Sequence, residues 1–226
     1  MLYLFQKQVE LPPLAPLQGL EIREVDDPTL LSTINQIPEE EATNRLANDH
    51  RAYVAFFDGI PAAFGWVASG KARVGELNHE FILPLGNRYL WNFRTLHDFR
   101  GLGIYPLLLQ QIFVAEQPKA ECFWIMHAPE NKASQRGIQK AGFQLIGKVS
   151  VVNGSEVIFD PERKSLELRE VLETFGFTAS SGQQASCWNC SSPFLKNRKL
   201  ECCCLTANKE CNRSLFDFAQ IVSTKS

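Results

Sequence analysis

Arg100-Gly101-Leu102-Gly103-Ile104-Tyr105 is the stretch whose reading decides the fold. Ahead of it, Tyr89-Leu90-Trp91-Asn92-Phe93-Arg94-Thr95-Leu96 is dominated by aromatic and apolar residues and predicts a strand. Behind it, apolar residues at 104, 107, 108, 112 and 115 follow a helical period. A strand, a glycine turn and a helix start leave several main-chain N–H groups pointing outward, and the helix dipole adds attraction for an anion. The two glycines permit close backbone approach, and Arg100 places a fixed positive charge at the lip. This predicts a pyrophosphate site. It is not a dinucleotide fingerprint, because the third glycine position holds Leu107, and no Gly-Lys-Ser/Thr of a Walker loop occurs.

The chain's 226 residues suit one domain with an extension, and 45% apolar and 11% aromatic residues can fill a core. Twenty-three basic against 25 acidic residues give a net charge of −2, with no nucleic-acid footprint. No apolar run approaches the roughly 18 residues of a membrane span. Met1 to Phe5 is apolar but short and lacks the basic region of a signal peptide, so a cytoplasmic protein is expected. Six of the seven cysteines fall between Cys187 and Cys211, which suggests a tail with its own chemistry.

Residues 1–19, with Pro12, Pro13 and Pro16, read as an extended arm. Leu20 to Val25 alternates with period two and predicts a strand. Asp26-Asp27-Pro28 opens a helix carrying Leu30, Leu31, Ile34 and Ile37, and Pro38 opens a second, charged one to about Asn48. Ala52–Phe57 and Pro61–Ala68 predict a hairpin turned by Asp58-Gly59. Ser69 to Arg88 reads as a long connection with a short strand at 81–83. After the glycine-turn helix come a doubly covered strand at 121–127 and a helix at 131–141 with Asn131 as N-cap. A hairpin of 143–152 and 156–159, turned by Asn153-Gly154, completes the pattern.

The glycine turn resembles the Arg-x-x-Gly-x-Gly/Ala coenzyme A loop of the GNAT N-acetyltransferases, with Tyr105 in the last small position. Asn131-Lys132-Ala133-Ser134 followed by Ile138-Gln139-Lys140-Ala141-Gly142-Phe143 is similar to that family's Asn-x-x-Ser…Lys-x-Gly-Phe block. The order of elements agrees. The resemblance spans roughly 20–159 and implies an α/β (α+β) fold whose mixed central sheet is splayed between strands 4 and 5 and flanked by helices. The domain is expected over 20–160, a C-terminal helix over 161–177, and a linker and Cys-rich tail over 178–226.

The resemblance further implies that acetyl-CoA, or another acyl-CoA, enters the splay. Phe93, Arg94 and Thr95 would meet its pantetheine arm, and Arg100, Gly101, Leu102, Gly103, Ile104 and Tyr105 its pyrophosphate. Asn131 and Ser134 would complete the coenzyme site, Asn131 being equally readable as a plain N-cap. The Thr95 main-chain N–H would polarise the thioester carbonyl. The family's glutamate and tyrosine positions hold Tyr89 and Ile138, so substitutes are sought in His127, readable as a base by its ordinary pKa or as a histidine capping the strand end, and in Tyr105, readable as a group reaching the thiolate or as a packing ring. His79 and Glu80 are the remaining candidates. Asn92 and Arg94, alternating with Trp91, Phe93 and Thr95, would line a polar acceptor groove; Arg94 would grip a substrate anion or pair with Glu40 or Glu41.

In the tail, Cys187-Trp188-Asn189-Cys190 supplies two possible zinc thiolates, with Cys204 and Cys211 as irregular partners. A flexible tail with reactive thiols, or cysteines that pack locally, are the other readings. The activity implied is acyl-CoA-dependent N-acylation of a primary amine on a small molecule, without nucleic acid or membrane partners. A protein or peptide acceptor, or a non-catalytic acyl-CoA-binding module, stands as the alternative.

Overall fold

The computed structural model describes residues 1–152, 156–162, 167–180 and 187–195. Alternation at 20–25 produces strand β2 (Leu20–Val25), preceded by β1 (Leu2–Gln6). Asp27 accepts from the Thr29 and Leu30 amides at 2.9 and 3.2 Å, starting α1 (Pro28–Asn35) with Pro28 in the first turn. Gln36, at φ 57°, ends it, and α2 (Glu39–Ala47) follows Pro38. Strands β3 (His50–Phe57) and β4 (Ile60–Ala68) are joined by Asp58 and Gly59, both at positive φ, as a tight hairpin turn requires.

Next come β5 (Lys71–Val74), β6 (His79–Ile82), β7 (Asn87–Thr95), α3 (Ile104–Glu116), β8 (Cys122–Met126) and α4 (Lys132–Lys140). Then follow β9 (Gln144–Val152), β10 (Glu156–Pro161), α5 (Glu167–Phe175), β11 (Thr178–Ala179) and the short α6 (Trp188–Ser191). Among the described residues one nine-stranded sheet runs β11-β10-β9-β1-β8-β7-β4-β3-β2, and β5 pairs with β6 apart from it. Pairing is antiparallel except at β7–β8 and β10–β11. Helices α3 and α4 cover one face, where Leu90, Leu108, Ile112, Phe123 and Ile138 make the core. On the other face α1 and α2 cover one half, and the β5–β6 ribbon with Phe175 and Trp188 covers the rest.

The structure corrects four expectations. Residues 1–19 are not simply an arm: Leu2–Gln6 is an internal strand, paired with β8 on one side and β9 on the other, its residues 2–5 at most 4% exposed. The connection at 69–88 contains the β5–β6 ribbon, broader than the short strand expected at 81–83. Thr178–Ala179, expected in a linker, adds to the sheet beside β10. Trp188 and its neighbours dock on the domain, with Trp188 Nε1 donating to Val149 O at 2.7 Å and the Trp188 and Asn189 amides to the Glu130 carboxylate. The Asn153-Gly154 turn lies outside the described residues.

Helix α3 is fixed to the sheet by a buried carboxylate at its far end. Glu116 accepts from Arg51 Nε and Nη2 at 2.6 and 2.5 Å, Arg88 Nε at 2.8 Å and Tyr53 Oη at 2.9 Å. Burial raises the Glu116 pKa, but hydrogen bonds and charge from Arg88 and Arg51 outweigh it, and the carboxyl titrates below its usual range. A depressed folded-state pKa means this stabilisation is full above the unfolded value of about 4.3 and is lost as pH falls through the lower folded one. Glu116→Gln should therefore cost about 3 kcal/mol at neutral pH, by stranding the buried Arg88 charge. Urea unfolding of both proteins should show that gap narrowing once the pH drops below the ordinary carboxylate range.

Candidate active site

Strands β7 and β8 are parallel and share only four register pairs, Asn87–Cys122 to Leu90–Ile125. Beyond Leu90 they part, while β7 stays paired with β4 as far as Thr95. Leu96 N donates to Ala62 O at 2.8 Å. By the alternation of an antiparallel ladder, the main chain of Thr95 points to the opposite edge, the one β8 has left. One backbone irregularity accompanies the parting. Phe64 faces Arg94 and Trp66 faces Trp91, so Gly65 alone opposes Asn92 and Phe93. This is a β-bulge, with Asn92 at φ 51°, a conformation Asn tolerates better than most residues.

The glycine turn closes the open end of the gap. Gly101 and Gly103 have φ of 85° and 82°, and a Cβ built on either would meet nothing within 4 Å. Conformation explains the glycines, and the space beside them is open. Gly103 is the N-cap of α3 without a side-chain cap bond. The amides of Gly101, Leu102, Gly103, Ile104 and Tyr105 find no acceptor among the described residues. Pro106 occupies a first-turn position whose N–H would have had no helical acceptor. Arg100 Nε donates to Thr95 O at 3.2 Å, tying the turn to the end of β7 and leaving its exposed guanidinium with further donors.

On the α1–α2 face the bulge sets a polar floor. Buried Asn35 Oδ1 accepts from Trp66 Nε1 at 2.9 Å and from Asn92 Nδ2 at 3.2 Å. Arg94 Nη1 donates to Gln36 Oε1 at 3.0 Å. On the opposite face the Tyr105 ring lies 5.5 Å from that of Phe93 and against Gly137 of α4.

The sheet parts between its parallel strands, a glycine turn with unpaired amides follows the first of them, and helices cover both faces. The fold is the GNAT fold. No protein-family model matches the chain, and no curated protein does. Solved structures similar to it include a predicted acetyltransferase of Clostridium acetobutylicum with acetyl-CoA (20% identity over 55% of this chain and 90% of that one, TM-score 0.41). Another is a GNAT-family acetyltransferase of Streptococcus pneumoniae (16%, 59% and 90%, 0.43). A third is a ribosomal alpha-N-protein acetyltransferase in complex with coenzyme A (14%, 62% and 87%, 0.45).

Set in the GNAT fold, the residues singled out from sequence divide into groups. Phe93, Arg94, Thr95 and the turn 100–105 surround the gap and its mouth. Asn131 caps α4, its Oδ1 accepting from Ser134 N at 3.1 Å. His127 is buried against Tyr3, one ring nitrogen on Ala128 O at 2.8 Å and the other on Tyr3 Oη at 3.3 Å. Burial, opposed by the bond to Ala128, pushes its pKa down to about 4, which corrects the expectation of a base near neutrality. Burial likewise holds the Tyr105 phenol above its usual range, in its protonated form.

The expected strand faces are also corrected. The bulge shifts the phase by one residue, so Leu90 and Phe93 point to α3 while Trp91, Asn92 and Arg94 face α1–α2. Arg94 pairs with neither Glu40 nor Glu41; Glu41 is taken by Arg45 at 2.5 Å. His79 bonds Phe175 O and Glu80 pairs with Lys71, so both serve the ribbon. Cys187 and Cys190 are buried with sulfurs 3.2 Å apart, and Cys204 and Cys211 lie outside the described residues. Among the described residues no group of three metal-ligating side chains assembles. Sequence reasoning missed Asn35 and Gln36; their only signal was a polar pair closing an amphipathic helix.

Tyr105 and Gly137 are sterically reciprocal, since a Cβ on Gly137 would lie 2.3 Å from a Tyr105 ring carbon. Helix propensity alone favours Gly137→Ala by about 1 kcal/mol. Overpacking at this contact costs about 1–3 kcal/mol, so the substitution should destabilise the wild-type protein. On a Tyr105→Ala background the sign should reverse, which a four-corner thermal-unfolding cycle would read.

Proposed function

We propose that the protein transfers an acyl group, acetyl in the simplest case, from acyl-CoA to a primary amine. The observation that carries this reading is the row of amides at 101–105 that find no acceptor among the described residues, with open space beside Gly101 and Gly103, at the mouth of the parted strands. Such a row suits a diphosphate, with Arg100 adding charge. The pantetheine arm would then lie along the edge of β7 that β8 has left, with Asn131 and Ser134 beside it.

In the proposed step the amine nitrogen attacks the thioester carbonyl carbon. Charge gathers on the carbonyl oxygen, where the Thr95 N–H is the proposed donor; losing such a donor typically costs about 3 kcal/mol of transition-state stabilisation. The carbon–sulfur bond breaks, the amide forms and the thiol departs. With His127 buried and weakly basic, the proton of the attacking nitrogen passes to water, and the protonated Tyr105 phenol is the proposed proton source for the leaving thiolate. Holding amine and thioester together supplies the rest.

Tyr89 and Ile138, both buried, favour a second reading, a binding module without turnover. Calorimetry with acetyl-CoA, paired with thiol release over an amine panel, separates the two. Gly103→Asp should remove measurable acetyl-CoA binding while circular dichroism stays unchanged. The new carboxylate would face the phosphates, and the left-handed backbone costs the fold only about 1–2 kcal/mol. Wild-type affinity in that variant would refute the placement.

A further inference from the structure

Five of the described arginines rest on carboxylates: Arg23, Arg45, Arg51, Arg88 and Arg169. Arg94 does not, although it stands at the end of the bulged segment, exposed on the α1–α2 face. Its one protein partner among the described residues is the neutral Gln36 Oε1. Gln36 is itself pinned: at φ 57° its N–H is held by Ser32 O and Thr33 O, and it ends α1. The guanidinium is thus held by a neutral carboxamide on a fixed stretch of backbone, beside a helix C-terminus that favours positive charge, without being neutralised. Four of its five N–H donors remain for a ligand. Two residues back along the same strand, Asn92 donates its Nδ2 to Asn35, which leaves its Oδ1 as an acceptor on the exposed side.

We propose that the acceptor amine also carries a carboxylate, which Arg94 grips through two parallel N–H bonds, while Asn92 Oδ1 receives an N–H of the attacking nitrogen. The inference rests on the acyl-transfer reading and names its substrate class: free amino acids or short peptides with an unblocked C-terminus. Arg23 and Arg45, also on that face, are committed to Glu21 and Glu41. One unpaired guanidinium balances one negative charge, so a carboxylate fits where a dianionic phosphate would lack a second cation. Planarity favours it too, because the guanidinium fork matches a carboxylate in two-toothed contact.

The test uses the full chain, acetyl-CoA and matched acceptors: a panel of free amino acids and dipeptides, each set against its own C-terminal amide. Thiol release should give a kcat/KM ten- to about a hundredfold higher for the acids, the range of a charge-assisted contact. Arg94→Gln should bring that ratio close to one, mainly through KM of the acids, whereas a loss shared equally by acids and amides would mark an effect on the coenzyme site and overturn the inference. Arg94→Lys, which keeps the charge but not the fork, should fall between. Amides used as well as acids, or a ratio unchanged in Arg94→Gln, would overturn the inference. If acetyl-CoA binds but no acid in the panel is acylated, this inference alone falls. If acetyl-CoA does not bind, the coenzyme reading falls and takes this one with it.

Discussion

Two neighbouring parallel strands that hold hands for four residues and then let go determine the rest of this molecule. Each keeps a partner on its far side, β4 for β7 and β1 for β8, which satisfies only the main-chain groups that point that way. The bulge at Asn92 bends β7 further, since an extra residue in one strand increases local twist. The result is an unpaired edge inside the sheet, a thing soluble proteins otherwise avoid or cover. Here it opens beside a turn whose amides are also without acceptors. The two vacancies are contiguous, and an extended ligand with an anionic end satisfies both.

Such an opening is useful only if its walls keep their place. The glycine turn belongs to the N-terminus of α3, and α3 is anchored at its other end by Glu116 among Arg51, Tyr53 and Arg88, residues of β3 and β7. A charge network 13 residues along the helix therefore sets the position of the turn relative to β7. The Arg100 side chain closes the same triangle by returning to Thr95 O. The chemistry of the site and the stability of the core thus share one helix.

Much of this was legible in the residues. The strand-turn-helix at 89–116, the Asp27 and Asn131 caps and the Asp58-Gly59 hairpin all have local causes that act within a few positions. What stayed hidden has distant causes. The bulge at Asn92 was invisible because period-two reasoning presumes an unbroken strand, and one inserted residue reverses every face beyond it. Leu2–Gln6 was mistaken for an arm because a strand covered on both faces shows no alternation, and the prolines after it suggested extension. Arg94 was read as gripping a substrate anion or pairing with Glu40 or Glu41, and its bond to Gln36 was missed because side-chain partners across 58 residues of chain cannot be read from spacing. In the tail the cysteines drew attention, while Trp188, at 2% exposure, is what seats that segment on the sheet.

Strand β1 has a consequence for assembly. Among the described residues it is the sole ladder between the five strands β8-β7-β4-β3-β2 and the three strands β9, β10 and β11, and it joins the two parts of the sheet. Yet Leu2 meets Met126 and Gly147, partners over a hundred residues away. Contacts so remote in sequence form slowly, because a long loop must be closed before any of them rewards it. The apolar segment Leu2–Phe5 must therefore wait, exposed, until β8 and β9 exist to receive it. The keystone of the sheet is made long before either of the two neighbours it must join.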